Sequence, residues 1–165
     1  KKCGHEVTLY EKRSIGGVLK EATVSDSKED LGRLITYYET QLKKNGIDVV
    51  FEEANVDTIV KGGYDVAILA TGAKVRVPEV KGLDSKEAIY AMDFLDQGAK
   101  TDAQNIVVVG GGIVGAETAL ILAEEQGKNV TITTRSPEFF VSGVMGIAYM
   151  TRLAMAGVKI ARRCS

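Results

Sequence analysis

The sequence predicts an α/β fold, organised as two lobes around parallel sheets. Three observations carry this. Strand-like and helix-like segments alternate along the 165 residues, the pattern of β-α-β units closed into a mainly parallel sheet. A glycine cluster over residues 110–115 sits between a β-branched run, Ile106-Val107-Val108-Val109, and an apolar helical segment. Pro78 and Gly82 punctuate residues 74–84 as a linker does. The lobes are therefore expected over residues 1–77 and 78–165, both incomplete. The chain opens almost directly on one strand-like segment and stops just after another, so it is expected to be a piece of a longer protein.

In the first lobe, Val7, Thr8, Leu9 and Tyr10 alternate as a strand that ends on Glu11. Ile15-Gly16-Gly17-Val18 reads as a turn or close approach, because adjacent glycines tolerate positive φ. Ser27 with Asp30 resembles an N-cap pair, ahead of a helix with Leu31, Leu34, Ile35, Tyr38 and Leu42 on one face. Asn45-Gly46 ends that helix. Residues 47–51 read as a strand, and residues 56–60 fit a strand or a short helix. Residues 64–70, Tyr-Asp-Val-Ala-Ile-Leu-Ala, read as a buried strand ending in Thr71-Gly72.

In the second lobe Ser85 can cap a helix that includes Ile89, Met92 and Leu95. Residues 106–109 form a continuous β-branched run, typical of a strand buried on both faces. The glycine cluster follows, then a helix to Gln126 with Ile113, Ala116, Leu120 and Ala123 on one face, closed by Gly127. Residues 130–134 are the next strand, 144–156 the next helix and 158–160 a last strand.

Gly110-Gly111-Gly112-Ile113-Val114-Gly115 is G-x-G-x-x-G, a weak pattern alone and a strong one between a buried strand and an amphipathic helix. Gly110 permits the tight turn, Gly112 leaves a pyrophosphate room at the backbone, and Gly115 lets the helix approach the strand. The helix start, with Ile113 and Val114, offers free amides and a positive dipole end to phosphates. A Rossmann-like dinucleotide lobe is the reading. An acid usually binds the ribose 2′-hydroxyl about 20 residues past the loop. Here that place holds Thr133-Thr134-Arg135-Ser136. Hydroxyls and a guanidinium suit a 2′-phosphate, which favours NADP over NAD. The first lobe shows half of the same device: Glu11 stands where a ribose-binding acid belongs, with no glycine loop before it in this chain.

Other chemistries find little here. A net charge of −1 gives no basic field for nucleic acid or an anionic membrane. No apolar run nears the roughly 18 residues of a membrane span. The first residues lack a signal-like apolar stretch, so a cytoplasmic setting is expected. Cys3 and Cys164 form no C-x-x-C pair, so neither a redox dithiol nor metal ligands are expected. His5, the single histidine, reads as a loop residue, and no catalytic side chain is assigned to this segment.

Taken together, Gly4-His5-Glu6-Val7-Thr8-Leu9-Tyr10-Glu11-Lys12, Ile15-Gly16-Gly17, the Tyr64-to-Ala73 run with its Ala70-Thr71-Gly72, and residues 105–117 resemble the two-dinucleotide-binding flavoprotein reductases. More narrowly, the chain resembles the C-terminal region of the old yellow enzyme-like 2,4-dienoyl-CoA reductase, enoate reductase and trimethylamine dehydrogenase group. The resemblance implies FAD in one lobe, with Glu11 and Lys12 at its adenosine ribose and Ala70, Thr71 and Gly72 near it. It implies NAD(P)H at Gly110, Gly112 and Gly115 in the other. It further implies an N-terminal barrel carrying FMN and an iron–sulfur cluster, and hydride passing from NAD(P)H to FAD and onward to reduce an activated C=C bond. Alternatives are a relative with a reactive disulfide, a glutamate synthase-type electron relay, or a nucleotide-binding module whose second site is vestigial. Self-association is left open.

Overall fold

The computed structural model describes residues 1–136 and 143–164. They form two compact units, one of residues 1–23 and 28–79, the other of residues 24–27 and 80–165.

The first unit holds a two-stranded parallel sheet, β1 (Thr8–Tyr10) beside β2 (Asp48–Val50), in register from Thr8 opposite Asp48 to Tyr10 opposite Val50. Between them, Gly16 (φ +111°) and Gly17 (φ +49°) turn the chain into the short helix α1 (Leu19–Ala22). A side chain at Gly16 would meet Ile35 at 3.0 Å, so this glycine serves close approach to α2 (Glu29–Lys44) as well as the turn. Lys28, not Ser27, occupies the N-cap position of α2, after a 3-10 turn over Asp26–Lys28. The Ser27 hydroxyl bonds Ser25 instead, at 2.9 Å. At the other end Gly46 (φ +60°) donates to the Lys43 carbonyl and Ile47 to the Leu42 carbonyl, the paired bonds of a Schellman closure. Residues 56–60 resolve as helix α3 (Val56–Lys61), because the Asn55 side chain accepts from the Thr58 amide at 2.9 Å.

The strand expected at residues 64–70 does not form. No strand lies beside it among the described residues, and Val66, Ile68 and Leu69 are 77–88% exposed. A buried parallel strand needs neighbours to take its amides and carbonyls. Apolar β-branched composition supplies the propensity but not the partner. Tyr64 does contact β1: its hydroxyl lies 3.1 Å from that of Tyr10, with the rings edge to face. That bond holds the Tyr10 phenol up, at about 12.

The second unit carries the larger core. Helix α4 (Ala91–Asp96) begins six residues after Ser85, whose hydroxyl closes a local turn by accepting from Glu87. Strands β3 (Asn105–Val109), β4 (Asn129–Thr134) and β5 (Lys159–Arg162) form a parallel sheet in that order. Helix α5 (Ile113–Leu120), continued by a π turn over Ile121–Glu125, joins β3 to β4. Helix α6 (Gly143–Met155) precedes β5. Val108, Val130 and Ile132 share one buried cluster with Ala116, Ala119 and Leu120 of α5 and Tyr149 and Leu153 of α6. Leu122, Ile132 and Leu153 are its largest fully buried side chains. The expectation that β3 is covered on both faces fails: Val107 and Val109 alternate with Val108 and are each 62% exposed. Both covering helices contribute to the Val108 side, so the period of two leaves the other residues outside.

Polar contacts tie the helices of this unit. The Tyr149 hydroxyl donates to Glu117 across the α5–α6 contact. Burial, reinforced by that carboxylate, pushes the Tyr149 phenol up to about 12. Arg152 pairs with Glu124 at 2.5 Å. Ser25 donates to Glu125 at 2.8 Å, which fastens residues 24–27 to this unit rather than to the one that precedes and follows them in sequence.

Candidate functional site

The glycine loop leaves β3 at its carboxyl end. Gly110 takes φ +121°, a region closed to L side chains, and its amide donates to the Thr133 carbonyl at 2.9 Å, which sets the loop against β4. Gly112 is the N-cap of α5: its backbone is extended and its carbonyl accepts from Ala116 at 2.9 Å. The amides of Ile113, Val114 and Gly115 precede that first helical donor and so have no partner within the helix. Ile113 and Val114, which open the helix, are 52% and 43% exposed.

The glycines of the loop differ in what surrounds them. A β-carbon on Gly112 would meet nothing within 4 Å. One on Gly115 would overlap the Gly110 carbonyl oxygen and lie 3.5 Å from Val108. Gly115 thus answers to helix–strand packing, while a β-carbon on Gly112, beside the helix-start amides, would touch nothing among the described residues. This is the geometry that a dinucleotide pyrophosphate requires, so the residues present fit the cofactor that the motif implies.

Thr134 and Arg135 lie at the carboxyl end of β4, next to the loop. Thr134 is buried, and its hydroxyl accepts from the Ser136 amide at 3.2 Å. Arg135 is exposed. The dinucleotide motif ends at this strand. The structure adds the carboxyl end of β5, where Arg162 stands in register with Thr134. The Arg162-Arg163 doublet was visible in the sequence, but its neighbourhood depends on strand register, which sequence does not display.

In the first unit Glu11 follows β1. Its amide donates to the Val50 carbonyl at 3.0 Å, and its carboxylate accepts from the Arg13 amide at 2.9 Å, so the side chain folds back toward its own turn. Lys12 pairs with Glu53 at 3.3 Å on the surface. Arg13 also reaches Glu21 at 2.7 Å, holding that buried carboxyl below its ordinary range. Ala70, Thr71 and Gly72 are exposed in extended or turning backbone, Gly72 with φ +72°. Ala70 lines a cavity with Leu9, Ile15, Tyr38 and Leu42. No glycine-rich phosphate loop accompanies Glu11 in this chain. Among the described residues no group of acids, histidines and cysteines could hold a metal ion, and no helix is long and apolar enough to cross a membrane.

Comparison with known proteins agrees with this geometry. The cinnamate reductase of Clostridium sporogenes is 37% identical over 131 residues, which is 78% of this chain and 19% of that protein. The NADH oxidase of Thermoanaerobacter brockii is 38% identical over 136 residues, 79% of this chain and 21% of the relative. The chain thus spans about a fifth of the length of these curated relatives. The structure of a 2-naphthoyl-CoA reductase in complex with 2-naphthoyl-CoA superposes with a TM-score of 0.85 at 32% identity, covering 98% of this chain and 25% of that one. These relatives are oxidoreductases, as the resemblance to the 2,4-dienoyl-CoA reductase and enoate reductase group implied. The family model described as pyridine nucleotide-disulphide oxidoreductase matches residues 1–165, and the chain belongs to that family.

Proposed function

We propose that this chain is the nucleotide-binding part of a flavin oxidoreductase in which hydride passes from NAD(P)H to FAD, for reduction of an activated C=C bond elsewhere in the same protein. The observation that carries the reading is the loop: a Gly112 whose β-carbon would touch nothing among the described residues, free amides at the start of α5, and a Gly115 that tolerates no side chain. The cofactors supply the redox chemistry; the protein binds and orients them. In this reading Gly110, Gly112, Ile113, Val114 and Gly115 hold the nicotinamide dinucleotide, Thr134 and Arg135 face its adenosine ribose, and Glu11 and Lys12 face that of FAD. Ala70, Thr71 and Gly72 lie near the flavin dinucleotide. No acid, base or nucleophile of this chain takes part in bond making.

An N-terminal barrel with FMN and an iron–sulfur cluster belongs to the same reading. It is supported by relatives several times longer than this chain, one of them bound to a CoA ester. No residues of this chain are assigned to those two groups. A cytoplasmic setting is part of the proposal. NADPH is the preferred donor because Arg135 replaces an acid. NADH is the second reading, favoured by the likeness to the T. brockii NADH oxidase.

Anaerobic titration of the intact protein with NADPH and NADH tests the proposal. Loss of the oxidised flavin absorbance, abolished by Gly112→Val, is the expected result. A flavin that neither nucleotide reduces would overturn hydride transfer and leave a nucleotide-binding module.

A further inference from the structure

Glu21 is a buried carboxylate that the nucleotide-binding reading does not use. It lies on α1, just after the Gly16-Gly17 turn, with 5% of its side chain exposed. Its Oε1 accepts from Arg13 Nη1 at 2.7 Å, and among the described residues its Oε2 has no hydrogen-bond partner. A buried ion pair with an unsatisfied oxygen contributes little to stability, because desolvation of the charges offsets their attraction. Stability therefore does not account for the pair, and its use lies in what Arg13 touches.

Arg13 is joined to the bend after β1 at two points. Its backbone amide donates to Glu11 Oε1 at 2.9 Å, and its guanidinium is anchored on α1 by Glu21. The Glu11 amide is itself held by the Val50 carbonyl of β2 at 3.0 Å. Glu11 thus has its backbone fixed by the sheet and its carboxylate fixed by the Arg13 amide, whose place Glu21 sets. The neighbouring Lys12–Glu53 pair is exposed on both sides and fixes little. A carboxylate has about four acceptor sites, so one amide leaves Glu11 able to accept from a hydroxyl as well. A free glutamate side chain would lose rotamer entropy on meeting such a hydroxyl; one already held in a single rotamer does not. We propose that Glu21 is a positioning residue for the flavin dinucleotide, orienting the Glu11 carboxylate through Arg13 toward the ribose hydroxyls of the FAD adenosine. This rests on the reading of Glu11 as the ribose-binding acid and adds to it a residue ten positions further on, in another element.

The test uses the intact protein, stripped of flavin and titrated with FAD or with its 2′-deoxyadenosine analogue while flavin fluorescence is followed. Wild type should bind the analogue about tenfold more weakly than FAD, the scale of one hydrogen bond to a charged group at a part-exposed site. Glu11→Gln should erase most of that distinction. Glu21→Gln should weaken FAD about fivefold, leave the analogue nearly unchanged, and add nothing further in the Glu11→Gln background. Arg13→Met with Glu21→Met removes the pair without leaving a lone buried charge, so the melting temperature should hold while the ribose distinction falls. Arg13→Lys retains a cation for Glu21 and should keep most of the distinction. If wild type does not separate FAD from the analogue, or Glu11→Gln still does, the reading of Glu11 falls and the role of Glu21 falls with it. If Glu11→Gln erases the distinction but the double methionine variant keeps it, or Glu21→Gln weakens FAD and the analogue equally, Glu11 stands and the positioning role of Glu21 is overturned.

Discussion

The carbonyl oxygen of Gly110 occupies the space in which a β-carbon on Gly115 would lie. Loop and helix are thereby held together within the first turn of α5. The two glycines should respond differently to the same change. Gly115→Ala forces the helix off the strand, and a loss of about 1–3 kcal/mol of stability is expected from overpacking. Gly112→Ala should leave the melting temperature within a degree or two, while weakening NAD(P)H binding measured by calorimetry. Equal effects of both changes on stability would contradict the division of labour.

Arg135 is exposed beside a buried Thr134. A charge-assisted bond to a phosphate is worth about 1.5–3 kcal/mol when sheltered, and less than a decade of affinity when solvent screens it. Arg135→Ala should raise the KM for NADPH several-fold and leave that for NADH nearly unchanged. Steady-state kinetics with both nucleotides decide; an equal loss with both would remove Arg135 from the specificity site.

In the proposed reading Glu11 would meet only the adenosine end of FAD, and this chain has no glycine-rich loop ahead of it for the pyrophosphate. The 165-residue chain, purified by itself, should therefore leave a desalting column colourless. A stoichiometric yellow flavin in its visible spectrum would refute this.

The Tyr149 phenol, raised to about 12 by burial and by Glu117, links stability to alkaline pH. Its ordinary value is about 10. The folded state holds the proton more tightly than the unfolded chain, so this contribution is fully present below about pH 10 and is lost as pH rises toward about 12. Two units correspond to roughly 2–3 kcal/mol. Denaturant midpoints of the wild type should fall over that window, and those of Tyr149→Phe should fall less. At neutral pH Tyr149→Phe should cost about 1 kcal/mol, from the hydrogen bond to Glu117.

What the sequence displayed, and what it withheld, divides along local and non-local lines. The residue 110–115 loop was legible because each glycine answers to backbone within a few residues or to the adjoining strand. The closure of α2 at Asn45-Gly46 was legible for the same reason. Residues 64–70 have the composition of a buried strand, yet whether they form one depends on a neighbour, which composition does not specify. The pair Val107 and Val109 looked like core because β-branched runs often are, and among the described residues that face of β3 is exposed. Arg162 was a basic residue near a strand end until register set it beside Thr134.

The run from Val66 to Leu69 carries a further consequence. Proteolytic enzymes grip their substrates as extended strands, and this run lies outside any helix or strand, with Val66, Ile68 and Leu69 turned to water. Chymotrypsin or thermolysin at low dose should therefore nick the isolated chain there before reaching the Leu122–Ile132–Leu153 core, leaving a resistant piece that begins between residues 64 and 90. The same run, apolar and able to pair edge to edge, is where copies of the isolated chain should begin to stick to one another at high concentration. Charged replacements at Ile68 and Leu69 would keep the chain dispersed without touching the nucleotide loop.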